Sequence, residues 1–247
     1  MIILWIVLAI IIIAAFVGII SLVMELFRKS GHKPYGPYER FIKRPLDAFL
    51  STGALIVLSP VLLITAILVR HKLGSPIIFS QERAGRNEIP FRVFKFRTMT
   101  SQKDEKGNLL PDEIRLTSFG KKLRSTSLDE LPELINIIRG DMAVVGPRPL
   151  HMYYLPWYTQ EQKKRHDVRP GLTGYAQAHG RNTVDWDDKF AMDADYASHI
   201  TFKGDLRIIF DTVKAVFKHE GINSETSATM EDFRDYCRSK GRMPKGQ

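Results

Sequence analysis

"AFLSTGALIVLSPVLLITAILV", Ala48 to Val69, is an uncharged run long enough for a helix to cross the hydrocarbon core of a bilayer. Whether it crosses decides the fold, because a crossing would put everything after Arg70 on the opposite side from Lys43. Both flanks are basic, with Lys43 and Arg44 before the run and Arg70 and Lys72 after it, so both ends favour the same face. Ser59-Pro60 lies near the middle. Pro60 cannot donate to the carbonyl of Ile56 and its ring crowds that group, while the Ser59 hydroxyl can bond freed backbone groups. An ordinary spanning helix with a proline kink is the competing reading. The basic flanks and the break together predict a re-entrant segment that enters one leaflet and returns.

Outward from this run, Met1 to Met24 contains no charged residue and is long enough to span. A cleaved signal peptide lacks support, since there is no basic n-region and no small-residue cleavage site follows. Arg28, Lys29 and Lys33 follow the run and nothing basic precedes it, so the positive-inside rule places the C-terminal side in the cytoplasm. Lys and Arg outnumber Asp and Glu by 36 to 27, a net charge of +9 that suits nucleic acid, an anionic membrane surface or phosphorylated substrates. The membrane segments make nucleic acid the minor alternative. One cysteine, Cys237, rules out an internal disulfide, and the seven histidines lack zinc-type spacing.

After Gly74 the chain reads as a compact domain of alternating strands and helices. Pro90 to Met99, "PFRVFKFRTM", alternates so that Lys95 and Arg97 share one face with Val93, fit either to line an anion site or to protect a sheet edge. Ser101 to Glu113 reads as a polar, turn-rich flap. "STSLDELPELINIIRGDM", Ser125 to Met142, reads as a helix with an apolar stripe at Leu128, Leu131, Leu134, Ile135 and Ile138. Pro132 fits only a first turn, which puts the start near Asp129. There Asp129 is either a cap held ionised by the helix terminus or part of a site, and Ser127 with Glu130 fits a capping box. Ala143 to Val145 reads as a short buried strand running into Gly146-Pro147-Arg148-Pro149, which presents Arg148 on a stiff loop either as a phosphate fork or as a surface turn residue.

"RPGLTGYAQAHGRN", Arg169 to Asn182, carries three glycines and two arginines, including Arg181, but matches neither a Walker loop nor a Rossmann fingerprint. Asp185, Asp187, Asp188, Asp193 and Asp195 read mostly as solvated helix-face charges, with one left to serve the site. "MYYLPWYT" and the amphipathic Asp205 to His219, edged by Arg207, Lys214 and Lys218, fit a membrane interface or core packing equally well. The remainder from Asn223 reads as a polar, loosely ordered tail.

In order and spacing these segments resemble the bacterial monotopic phosphoglycosyl transferases, also called bacterial sugar transferases. The resemblance covers about Phe41 to Ile222 and rests on Lys43-Arg44…Asp47, Ser59-Pro60, "KFRTM", "RSTSLDELPELINIIRGDM", "VGPRP", "RPGLTGYAQ" and "GRN". It implies the small catalytic form with an added N-terminal helix, and so a helix-rich α+β fold. The expected divisions are a transmembrane helix (1–27), a basic linker (28–45), a re-entrant membrane helix broken at Ser59-Pro60 (46–72), a cytoplasmic catalytic domain with short strands and interfacial amphipathic helices (73–222) and a polar tail (223–247).

The resemblance further implies transfer of a sugar-1-phosphate from a UDP-sugar to a polyprenol phosphate such as undecaprenyl phosphate, with release of UMP, at the cytoplasmic face of a bacterial inner membrane. Asp129 would be the nucleophile and a ligand of Mg²⁺, Glu130 its partner. Arg124 and Arg148 would face the phosphates, with Lys95, Arg97 and Arg181 as weaker candidates. A lipid-phosphate phosphotransferase or phosphatase using the same aspartate, and a non-catalytic basic membrane scaffold, are the alternatives; only sugar-phosphate transfer releases UMP. The identity of the sugar, the glycan pathway and the oligomeric state are not encoded in any residue singled out above.

Overall fold

The computed structural model describes residues 2–26, 32–179, 184–217 and 231–244. Helix α1, Ile2–Leu26, is apolar all round, and its Trp5–Met24 stretch is long and apolar enough to cross a membrane. Small residues on one stripe, Ala14, Gly18 and Ser21, let it lie close to α2, Lys43–Val57. A β-carbon on Gly18 would sit 3.1 Å from the Pro45 carbonyl oxygen. Trp5, Phe16 and Ile19 face outward.

Helix α2 bends by 64° into α3, Ser59–Leu73. The break has the chemistry expected of Ser59-Pro60: the Ser59 hydroxyl donates to the Ile56 carbonyl at 2.7 Å, the group Pro60 cannot serve. Val57, Leu63, Ile64 and Ile67 around the bend are exposed. Both ends of the bent pair are fastened to the same body. At the α2 end Lys43 pairs with Asp205, and Arg44 donates to the carbonyls of Ile137 at 2.6 Å and Ile138 at 2.8 Å. The Lys43 and Arg44 side chains are thus buried in the domain, whereas the sequence reading placed them at the membrane surface. At the α3 end Arg97 donates to the Ser75 carbonyl at 2.7 Å, and Val69 and Leu73 pack against Phe96 and Leu123.

The domain is helix-rich α+β. Strands β1, Ile78–Ala84, and β2, Pro90–Phe96, form an antiparallel hairpin in which Ile78 faces Phe96 and Ala84 faces Pro90. Short helices α4, Asp112–Arg115, and α5, Ser118–Ser125, lead to α6, Glu133–Arg139. Strand β3, Ala143–Val145, falls where the sequence placed it and pairs in parallel with β4, Gly171–Thr173. Helices α7, Gln160–Lys163, α8, Tyr175–His179, α9, Trp186–Ser198, α10, Phe202–Phe217, and α11, Phe233–Ser239, complete it.

The tail is not loose at α11, where Phe233 and Cys237 are fully buried against Tyr158, Trp186 and Phe190. Within "MYYLPWYT", Tyr154 and Tyr158 join that core, and Tyr153 remains half-exposed. The acidic run is mainly solvated, as expected: Asp185, Asp188 and Asp195 are exposed, with Asp185 capping α9, while Asp187 pairs with Arg242 at 2.6 Å and only Asp193 is buried, paired with Arg165 at 2.8 Å. Helix α10 turns Phe202, Leu206, Phe210 and Val213 outward, a stripe at helical spacing that no core residue covers among the described residues. Lys218 and His219 lie outside the described residues.

Candidate active site

The approach to Asp129 departs from the expected helix start. Leu128–Glu130 is a tight 3-10 turn, entered through Ser127 in the left-handed conformation (φ 55°), and α6 begins only at Glu133 with Pro132 as its cap residue. Ser127 makes no capping bond, so the capping box does not form. The buried face of α6 is Leu134 and Ile137 with Glu133 and Asn136, while Ile135 points outward. Asn136 bridges to β2, accepting from the Phe94 N–H at 3.0 Å and donating to the Arg92 carbonyl at 2.8 Å. This cross-link sets Lys95 over the turn that carries Asp129 and Glu130.

Lys95 Nζ lies 2.6 Å from Glu130 Oε1 and 3.1 Å from Glu133 Oε1, and Arg148 reaches the same Glu130 oxygen at 2.9 Å. Burial would raise the Glu130 pKa, but Arg148 and Lys95 outweigh it and hold the carboxylate down at about 2. Asp129 is buried beside them, yet makes no ion pair among the described residues. Burial, reinforced by the Glu130 charge, pushes its pKa up to about 6 against the pull of Lys95 and Arg124. The Asp129 backbone amide also pulls the pKa down, as expected at a helix terminus, but burial and the Glu130 charge outweigh it. Glu130 fixes the cations, and Asp129 keeps an uncommitted carboxylate next to them. Glu133, which the sequence reading passed over, is pushed up to about 7 by burial, with Lys95 pulling the other way.

All of this faces a cavity of about 770 Å³ lined by Lys95, Arg97, Arg124, Asp129, Glu130 and Arg148 among others. Arg124 is held there by its Nε donating to Thr98 Oγ1 at 3.1 Å. Arg97 lines the cavity too, but turns its guanidinium to the Ser75 carbonyl. Arg181 lies outside the described residues. Behind Arg148, the buried Arg165 donates to the Arg148 carbonyl at 2.7 Å while held by Asp193, so the Pro147–Pro149 loop is fixed from the rear.

Gly171 and Gly174 of the second loop serve close backbone packing. A β-carbon on Gly171 would fall 2.1 Å from the Gly146 nitrogen, and one on Gly174 2.2 Å from the Gly146 oxygen. They let two backbones touch beneath the arginine loop.

Among the described residues no group of three or more His, Cys, Asp or Glu side chains could enclose a metal. Mg²⁺ needs no such enclosure when it keeps several waters and leans on one or two carboxylates plus substrate phosphates. The uncommitted carboxylate of Asp129 at the cavity wall fits that role.

The family profile "bacterial sugar transferase" matches residues 38–219. The uncharacterized sugar transferase EpsL of Bacillus subtilis is 47% identical over 192 residues, covering 78% of this chain and 95% of its own length. The undecaprenyl-phosphate galactose phosphotransferase of Salmonella typhimurium is 35% identical over 199 residues, 74% of this chain and 42% of the relative. The UDP-glucose:undecaprenyl-phosphate glucose-1-phosphate transferase of Escherichia coli K12 is 37% identical over 190 residues, 73% of this chain and 41% of the relative. The chain thus spans nearly all of the first relative and under half of the other two. A profile match over most of the chain, on the segments that build this cavity, makes it an enzyme of the bacterial sugar transferase family.

Proposed function

We propose that the enzyme transfers a sugar-1-phosphate from a UDP-sugar to undecaprenyl phosphate through a covalent aspartyl intermediate on Asp129. The observation that carries this reading is the uncommitted, buried carboxylate of Asp129 among cations that Glu130 holds in place. An Asp129 oxygen attacks the sugar-bearing phosphorus; the bond to the bridging oxygen breaks and UMP leaves with its electron pair. A phosphate oxygen of the lipid then attacks the same phosphorus, breaks the aspartyl–phosphorus bond and restores the carboxylate. Lys95, Arg124 and Arg148 offset the repulsion between anions that would otherwise block both attacks. Glu130 keeps two of those cations aimed. Mg²⁺ bound by Asp129 and the donor phosphates would supply further charge neutralisation.

The same reading places the bent pair α2–α3 in the cytoplasmic leaflet as a re-entrant segment, with α1 spanning. Its support is mechanical: both ends of the pair are bonded to one domain, which a crossing would have to separate. The outward stripe of α10 supplies a further apolar contact with that leaflet. The pairs named in the relatives, galactose with a polyprenyl phosphate and glucose with the same acceptor, define the donors to screen first.

Incubation of purified enzyme with single UDP-sugars and no acceptor tests the mechanism by intact mass. We expect one sugar phosphate added on the peptide bearing Asp129, and none in Asp129→Asn, which folds normally because asparagine serves a turn as well as aspartate. UMP release catalysed by folded Asp129→Asn at the wild-type rate would overturn it.

A further inference from the structure

We infer that Arg83 is a second phosphate-binding arginine of this cavity and takes the phosphate on the leaving, nucleoside side of the donor, while Arg148 serves the transferred one. The inference rests on the donor being a nucleoside diphosphate sugar.

Arg83 sits on β1, opposite Phe91, and lines the same cavity as Asp129. The Ala84 N–H donates to the Leu150 carbonyl at 3.0 Å, so β1 is bonded directly to the end of the loop that presents Arg148. The two guanidinium groups are therefore carried on adjoining backbone. Their partners differ. Arg148 has Glu130 at 2.9 Å, whereas Arg83 donates to the neutral Gln81 Oε1 at 2.7 Å and has no carboxylate within ion-pair distance among the described residues.

Burial, and after it the Arg148 charge, press the Arg83 pKa downward. A half-buried cation beside a second cation is costly unless an anion joins them. A diphosphate brings two adjoining anionic groups, one for each guanidinium.

The order of side chains along the wall gives the direction. Asp129 precedes Glu130, Glu130 holds Arg148 at 2.9 Å, and the loop that carries Arg148 runs on to the Leu150 carbonyl, where the Ala84 N–H joins it and brings Arg83 alongside His151 on the cavity wall. His151 is stacked on Tyr153 at 4.6 Å. Burial and the Arg83 charge push its pKa down to about 4, so it is neutral near pH 7 and does not compete for phosphate. The attacked phosphorus must lie at Asp129. The next phosphate along the wall is the one that departs, and negative charge gathers on it as the bridging bond breaks. A forked donor placed there stabilises the charge as it develops.

The test uses the full-length enzyme in detergent micelles, UMP as probe, and whichever UDP-sugar the wild type turns over with release of UMP. Arg83→Gln should raise the inhibition constant for UMP at least roughly tenfold and lower kcat by a similar or larger factor, as expected for losing a charged hydrogen-bonding pair. Arg83→Lys keeps the charge without the fork and should fall between, with the wild-type melting temperature. If Arg83→Gln fails to fold, Arg83→Lys decides alone: a raised UMP inhibition constant supports the assignment and a wild-type constant overturns it. Wild-type UMP inhibition and turnover in folded Arg83→Gln would overturn this assignment while leaving the proposed reaction standing. A wild-type enzyme that neither releases nor binds UMP would instead overturn the proposed reaction and this assignment with it.

Discussion

At the scale of the residue, the contacts in the candidate site are divided unequally between adjacent carboxylates. Glu130 holds Lys95 and Arg148 through one oxygen, and Asp129 is left uncommitted. Replacing Arg148 by Lys keeps a positive charge but removes the fork, so kcat should fall by roughly ten- to a hundredfold with little change in melting temperature. Steady-state UMP release measures this, and unchanged kcat would demote Arg148 to a turn residue. Asp129, Glu130, Lys95 and Arg148 were legible in the sequence because local signals carry them: an acidic pair before a proline, an alternating basic strand, an arginine between prolines. Arg83 and Glu133 were not. Arg83 is brought to the cavity by the β1–β2 register and the contact of β1 with the Leu150 carbonyl, and Glu133 meets Lys95 because Asn136 ties α6 to β2; neither contact is visible in a local pattern. Arg97 falls one residue past the end of β2 and lines the cavity, yet long-range geometry gave its guanidinium another partner at Ser75.

At the scale of the element, the strand β3 and the Ser59-Pro60 break were legible because turn and proline chemistry is local. The start of α6 was placed too early. A proline suits the cap as well as the first turn, and the buried Glu133 and Asn136 override the apolar stripe on which the sequence reading relied. Glycine spacing alone could not distinguish an oxyanion cradle from close backbone packing. Here packing decides it, and Gly171→Ala should displace the arginine loop or prevent folding, since the added methyl would meet backbone 2.1 Å away. Soluble expression and UMP release report on both outcomes, and an active, stable Gly171→Ala would contradict the close contact. Pro60→Ala restores an amide donor for Ile56 and should straighten the α2–α3 pair. Cysteines at exposed Arg40 and Lys72 should be labelled from the same face in the parent chain. Labelling of position 72 from outside intact cells would overturn the re-entrant placement.

At the scale of the whole molecule, stability is tied to pH through groups buried away from the site. His166 is buried against Tyr158, and burial, then the Arg165 charge, push its pKa down to about 3. Its unfolded value is the ordinary 6.5. Below pH 6.5 the unfolded chain takes up a proton that the folded one excludes, so stability is lost as pH falls towards 3, by at most about 1.4 kcal/mol per pH unit. Unfolding in micelles between pH 6 and 4 should show a shallower loss in His166→Phe, and identical slopes would remove His166 from the account. The anchoring of α11 in the core was not legible, because its seven residues are mostly polar and only Phe233, Tyr236 and Cys237 face inward.

In the re-entrant placement proposed above, the fastening of both ends of the bent pair to one domain would also act as a depth gauge. In that placement the height of the cavity above the lipid phosphates would be set by the lengths of α2 and α3 and by the angle between them. Each residue added to a helix shifts its end by about 1.5 Å and turns it by about 100°. A single insertion in α3 would therefore strain the Arg97 fastening or move Asp129 off the plane in which a lipid phosphate presents itself. Helix length in this segment would then be set by the reach of the reaction as well as by hydrophobic match.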